Sequence, residues 1–178
     1  MKRNKAIYSM IMMMIVGLLS GSLFGQTPKL TDPEIAFVTV TANQIDLNYA
    51  KIAKMKSKNN DVLKFAETMA NDHQSVIDQA TALVKKSGVT PMDNALSKKL
   101  NADAEKTKKM LSLKSGDEFN KAYIDNEVSY HKAVIDIVEN TLIPQAQIVD
   151  LTALLENLVP VLKTHLEHAE ILQKMFAK

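Results

Sequence analysis

The sequence predicts an all-α domain: a four-helix bundle with a short extra helix between helices two and three. Three observations predict it. After residue 25 only two glycines remain, Gly88 and Gly116, and Trp is absent. Apolar residues recur every three or four positions through four long windows, whereas alternation suited to strands is scarce. About 150 residues then remain, enough for one domain with a single sizeable core.

The first 25 residues read as a secretory signal peptide, leaving a domain over 26–178. Lys2, Arg3 and Lys5 form a basic start, an apolar stretch runs from Ala6 to Phe24, and the expected cut lies near Gly25. An uncleaved anchor is the alternative, since this stretch is about long enough to span a bilayer. Either way a periplasmic or secreted protein is expected. The chain has no cysteine, so lipoprotein attachment, disulfides and thiolate chemistry are excluded. Removing the three basic residues of the signal leaves 19 basic against 20 acidic side chains and no arginine. Such a domain is poorly suited to nucleic acid or phosphate.

Helix one is expected from Thr31-Asp32-Pro33-Glu34, with Asp32 as cap and Pro33 in the first turn. Its stripe is Ile35, Val38, Ala42, Ile45, Tyr49 and Ile52, ending near Lys56-Ser57-Lys58. Helix two follows Asn59-Asn60, with Val62, Ala66, Met69, His73, Val76, Ala80 and Leu83 on one face and Gly88 at its end. Pro91 marks a loop, and Asp93 is expected to cap a lysine-rich peripheral helix over about 94–112. The connection is long enough to cross the bundle. Helix three begins at Ser115-Gly116-Asp117-Glu118 and is broken by Pro144. Helix four spans about Ile148 to Ala177. Pro160 lies inside that pattern and predicts a kink or a freed carbonyl one turn earlier.

The candidate chemistry lies in polar residues on or beside these apolar stripes. His73, His131 and His165 come from three different helices at compatible depths. Asp46 flanks the stripe of helix one, and Glu127 sits four residues before His131, on the same side of helix three. His168 is three residues beyond His165. The metal-ligand candidates are Asp46, His73, Glu127, His131 and His165, a nitrogen and oxygen set that suits iron, zinc, copper or manganese. A shared ion requires the imidazoles within about 8 Å of one another, because ligand bonds are only about 2 Å. The competing reading is three buried imidazoles, each held by ordinary hydrogen bonds. No nucleophile elbow, glycine-rich phosphate loop or covalent haem motif is present. No catalytic residue is therefore assigned.

Five stretches carry a resemblance: Ala42-Asn43-Gln44-Ile45-Asp46-Leu47 with Lys51-Ile52-Ala53; Phe65-Ala66-Glu67-Thr68-Met69-Ala70-Asn71-Asp72-His73; Phe119-Asn120-Lys121-Ala122-Tyr123; Val128-Ser129-Tyr130-His131; and Leu158-Val159-Pro160-Val161-Leu162-Lys163-Thr164-His165-Leu166. Together they resemble the exported bundle family known as domain of unknown function 4142, across about 31–176. The resemblance implies a ferritin-like fold and no settled activity. It also implies the label of putative outer membrane protein, although the chain has no series of alternating strands from which to build a barrel. The family's acidic residue in helix one is usually Glu, and here it is Asp46. Ferritin-like di-iron proteins carry Glu-x-x-His on two helices. Here Ala70, Val128 and Leu162 precede His73, His131 and His165 by three, and His165 precedes His168.

The leading expectation is a non-enzymatic binding or stress-related envelope protein with no nucleic-acid partner. Signal cleavage would leave no membrane span, and association with the outer membrane would be peripheral. The alternative is a transition-metal-binding protein with a His/carboxylate site in the bundle core. A third reading makes segment 89–116 a contact surface for a protein partner.

Overall fold

The computed structural model describes residues 29–176; the signal-peptide segment 1–25 lies outside them. Five α-helices follow in order: α1 (Asp32–Lys56), α2 (Asn60–Ser87), α3 (Ala95–Ser112), α4 (Gly116–Ile137) and α5 (Val149–Met175). Expected helices three and four are thus α4 and α5, and the extra helix is α3. There is no strand among the described residues, and none of their helices is long and apolar enough to cross a membrane.

Local chemistry sets the ends. Thr31, not Asp32, is the N-cap of α1, and Glu34 accepts from its N–H (2.9 Å) and its hydroxyl (2.7 Å). The Asp32 carboxylate instead accepts from the Gln147 N–H, 2.8 Å away, which ties the start of α1 to the α4–α5 connection. Asn59 Oδ1 accepts from the backbone N–H groups of Asp61 and Val62, which opens α2. Gly88 closes it with φ of +67°, a conformation that favours glycine. Asn94, rather than Asp93, caps α3 through the N–H groups of Leu96 and Ser97.

The core is a bundle of four helices, α1, α2, α4 and α5, with one long crossover connection. α1 packs against α2 and α4, and α5 packs against α2 and α4. The long connection between α2 and α4 does cross the length of the bundle, as α3 running along the outside of α1. Both ends of α3 are fastened to α1. The Met92 N–H donates to the Pro33 carbonyl at one end, and Lys56 Nζ donates to the Leu111 and Ser112 carbonyls at the other. Ser97, Ala104 and Leu111 are the buried residues of α3. Their seven-residue spacing makes one narrow seam, as its sparse apolar content predicts. α4 continues through a π-helical turn (Val138–Leu142) and a 3-10 turn (Ile143–Gln145) that contains Pro144. α5 runs through Pro160 as one continuous helix.

The apolar core is in two pieces. One contains Tyr49, Phe65, Met69, Phe119, Tyr123 and Val128; the other contains Val38, Ala42, Val76, Val134, Leu155 and Leu162. Burying each Leu, Val or Phe contributes roughly 1.5–3 kcal/mol, so either piece is a substantial source of stability. Along α2 the boundary falls between Met69 and Val76, along α4 between Val128 and Val134, and along α5 between Leu162 and Ala169. His73, His131 and His165 occupy those three boundaries, and Asp46 sits at the corresponding height of α1.

Candidate metal centre

All five candidates are buried. Asp46, Glu127 and His131 are 0 % exposed, His73 is 3 % and His165 is 4 %. They come from each of the four bundle helices and meet in one layer. The three imidazole ring centres lie 5.3, 5.5 and 5.7 Å apart. Asp46 Oδ2 is 3.3 Å from His73 Nε2 and 3.6 Å from His131 Nε2. His131 also joins Asp46 and Glu127 in a second group whose ligand atoms lie within 4.8 Å of one another. His168 is not part of the layer. It is exposed, with its ring edge-on to Phe65 at 5.2 Å.

Each imidazole is held from outside by a group that can only accept. His73 Nδ1 faces Asn43 Oδ1 at 2.7 Å. The Asn43 amide is oriented by its own Nδ2, which donates to the Thr39 carbonyl (2.8 Å), so its oxygen must be the atom that meets His73. His131 Nδ1 donates to the Glu127 backbone carbonyl (2.9 Å), and His165 Nε2 donates to Asp72 Oδ2 (2.9 Å). A neutral imidazole has one N–H and one lone pair. Three outward N–H groups therefore leave three inward lone pairs, on His73 Nε2, His131 Nε2 and His165 Nδ1. These three nitrogens, both oxygens of Asp46 and both of Glu127 are buried without a hydrogen-bond partner. The inward face is rich in acceptors, and a proton on the Glu127 carboxyl, beside Asp46, is its one potential donor.

Burial governs the ionisation of every member. It lowers His73 to about 4 and also lowers His131 and His165, so all three are neutral at pH 7 and keep their lone pairs. It raises Asp46, against the pull of His131 and His165. It raises Glu127 further, with the Asp46 charge adding to the effect. Neutral imidazoles beside carboxylates that resist ionisation form a site short of positive charge.

A metal ion would supply positive charge to the layer, and the donor spacing is compatible with one. Ligands about 2.0–2.1 Å from a tetrahedral ion lie roughly 3.3 Å apart, and imidazoles sharing it have ring centres roughly 5 Å apart. The Asp46–His73 separation matches the first value, and the three ring separations lie just above the second. The outward hydrogen bonds are of the kind that fix the tautomer and orientation of metal-bound histidine. His73, His131, His165 and Asp46 could hold one ion as three nitrogens and an oxygen. Glu127 approaches from the α4 side as a further oxygen donor. The recess lined by Asn43, Asp46, His73 and His131 has no space for a water-sized molecule.

Two contributors escape a reading based on apolar stripes: Asn43 and Asp72. Tyr123 is 0 % exposed and its hydroxyl has no partner. The nearby charges of Glu127 and Asp46, on top of burial, hold its ionisation well above the usual phenol range. Tyr123→Phe should therefore leave stability unchanged or raise it by up to about 1 kcal/mol in a urea titration, because it removes a buried polar atom that makes no hydrogen bond. A loss of more than about 1 kcal/mol would mean that the hydroxyl holds the layer together.

No curated protein and no solved structure matches this chain. A family model does match it over residues 22–172, which takes in every element that carries the layer. On that match the chain belongs to the family described as domain of unknown function DUF4142.

Proposed function

We propose that this protein is a non-enzymatic metal-binding protein of the cell envelope, holding one divalent transition-metal ion at Asp46, His73, His131 and His165. The observation that carries the reading is the acceptor-rich layer: three inward imidazole lone pairs beside the Asp46 carboxyl group, each buried and without a hydrogen-bond partner. The ion would be zinc or another borderline metal, since imidazole and carboxylate donors suit these and thiolate is absent. Four protein donors would complete a tetrahedral ion, and the recess beside them has no space for a water-sized molecule. Both features favour storage, transfer or structural use of the ion over turnover.

The fold reading that accompanies this is ferritin-like. It is supported by one ligand from each of four long helices and by a connection that runs the length of the bundle. The missing Glu-x-x-His pairs make this layer richer in nitrogen and poorer in carboxylate than a di-iron centre. The basic, then apolar, opening of the sequence supports export, and with it a periplasmic or secreted location and a role in envelope stress.

The test is elemental analysis of the protein purified without a polyhistidine tag, alongside the His73→Ala/His165→Ala double variant. The expected result is about one metal ion per chain in the parent and none in the variant. Absence of metal from both after incubation with zinc, copper, iron and manganese would overturn the reading and leave a hydrogen-bonded core. Peroxide turnover by the metal-loaded parent, lost in the variant, would overturn its non-enzymatic part.

A further inference from the structure

We propose that Asp72 is the residue through which a divalent cation enters and leaves the centre, acting on His165 as its positioning partner. The inference rests on the metal reading above and goes beyond it by naming a route. The layer itself is closed to water, with Asp46, Glu127 and His131 fully buried and His73 and His165 nearly so. Asp72 differs from them. Its side chain is 45 % exposed, and its Oδ2 lies 2.9 Å from His165 Nε2. It is the one carboxylate that touches both solvent and a candidate ligand among the described residues.

His165 also differs from the other two imidazoles. His73 and His131 face inward with Nε2 and are tied at Nδ1 to buried groups, the Asn43 amide and the Glu127 carbonyl. His165 is reversed. Its Nδ1 faces inward and its Nε2 reaches the partly exposed Asp72 across the seam between α2 and α5. Pro160 lies in α5 five residues earlier and has no N–H for the helix ladder, so the Glu156 carbonyl one turn before it lacks its usual partner.

These features define an exchange step that moves no proton. A hydrated cation meets the Asp72 carboxylate, where the negative charge concentrates it at the surface. The His165–Asp72 hydrogen bond opens, the imidazole turns aside, and the ion passes to His73, His131 and Asp46. The ring then returns, with its Nε2 proton again on Asp72 and its Nδ1 lone pair on the ion. Asp72 thus acts at both stages, first by attracting the ion and then by orienting the last ligand to close.

The experiment measures association of cobalt(II) and zinc by stopped flow with the full chain at low ionic strength, for the parent, Asp72→Asn, Asp72→Glu and Asp78→Asn. Asparagine can still accept the His165 hydrogen bond but carries no charge. Asp72→Asn should bind the same number of ions, with the same visible cobalt(II) spectrum at saturation, but associate about tenfold more slowly. Asp72→Glu should restore most of the rate. Asp78, an exposed carboxylate farther along α2, controls for general surface charge. An Asp72→Asn rate within twofold of the parent, or equal slowing by Asp78→Asn, would overturn the route while leaving the metal centre standing. Failure of the parent to bind either ion would instead remove the centre itself.

Discussion

Asp46→Asn should make the metal-free protein more stable, by about 1–3 kcal/mol in urea or guanidinium unfolding, while weakening metal binding by at least about 100-fold. The substitution is isosteric, so packing is preserved. What changes is that an amide N–H₂ replaces a carboxylate oxygen that now lies 3.3 Å from one imidazole lone pair and 3.6 Å from another. The amide adds an inward donor, and relieving a buried unsatisfied acceptor recovers roughly 1–3 kcal/mol. The cost appears in metal affinity. Loss of a second-sphere partner alone weakens binding about 10–100-fold, and a direct anionic ligand should matter more. The sign of the stability change decides between the two readings of the core. If Asp46 were the charged partner of a protonated histidine, breaking that buried pair would destabilise the protein by about 3–5 kcal/mol. A loss of that size would remove the metal interpretation.

Saturating the parent with its ion should raise the melting temperature by roughly 10 °C, and excess chelator should reverse the change. Ligand at about a thousand times its dissociation constant stabilises the native state by about 4 kcal/mol. For a domain of this size each kcal/mol corresponds to about 2–4 °C. The ion would join two apolar clusters now separated by a layer rich in acceptors. The same titration on Asp46→Asn or His73→Ala/His165→Ala should be nearly flat. An equal shift in the double variant would place the binding elsewhere, on surface carboxylates, and the centre would have to be abandoned.

Much of this layer could be read before any coordinates existed, because imidazoles interrupt stripes that are otherwise apolar. His73 between Met69 and Val76, and His165 between Leu162 and Ala169, are conspicuous for that reason. Helix ends were legible where one residue does the work, as at Asn59 and Gly88, whereas α4 gives way to a π-helical turn at Val138, before the break expected at Pro144. The caps of α1 and α3 were displaced by one residue. At both ends Thr31 or Asn94 competes with a neighbouring aspartate, and only geometry decides which side chain reaches the free N–H groups.

Asp46 was harder to place. It flanks the stripe of α1, and a single stripe predicts partial exposure. α1 is nevertheless buried around most of its circumference, because α3 covers the side that the bundle leaves open. That covering comes from a long connection whose path no local pattern specifies. Asn43 and Asp72 were invisible as partners for a related reason. Asn and Asp are ordinary on a helix surface, and their meeting with His73 and His165 depends on how α1, α2 and α5 cross.

The division of the apolar core has a consequence for assembly of the fold. Leucine-rich helix faces tolerate sliding, since one apolar contact resembles the next. Here a shift of α1, α2 or α5 by one turn, about 5.4 Å, would drive its polar residue into an apolar level and bring an apolar residue among the acceptors. Both mismatches are expensive, so the chain has a single vertical alignment in which all four helices agree. A buried polar position is an established way to fix register in helical assemblies. The histidine layer would impose that alignment in the metal-free chain too, as an index mark shared by four helices that otherwise have few means of telling one height from another.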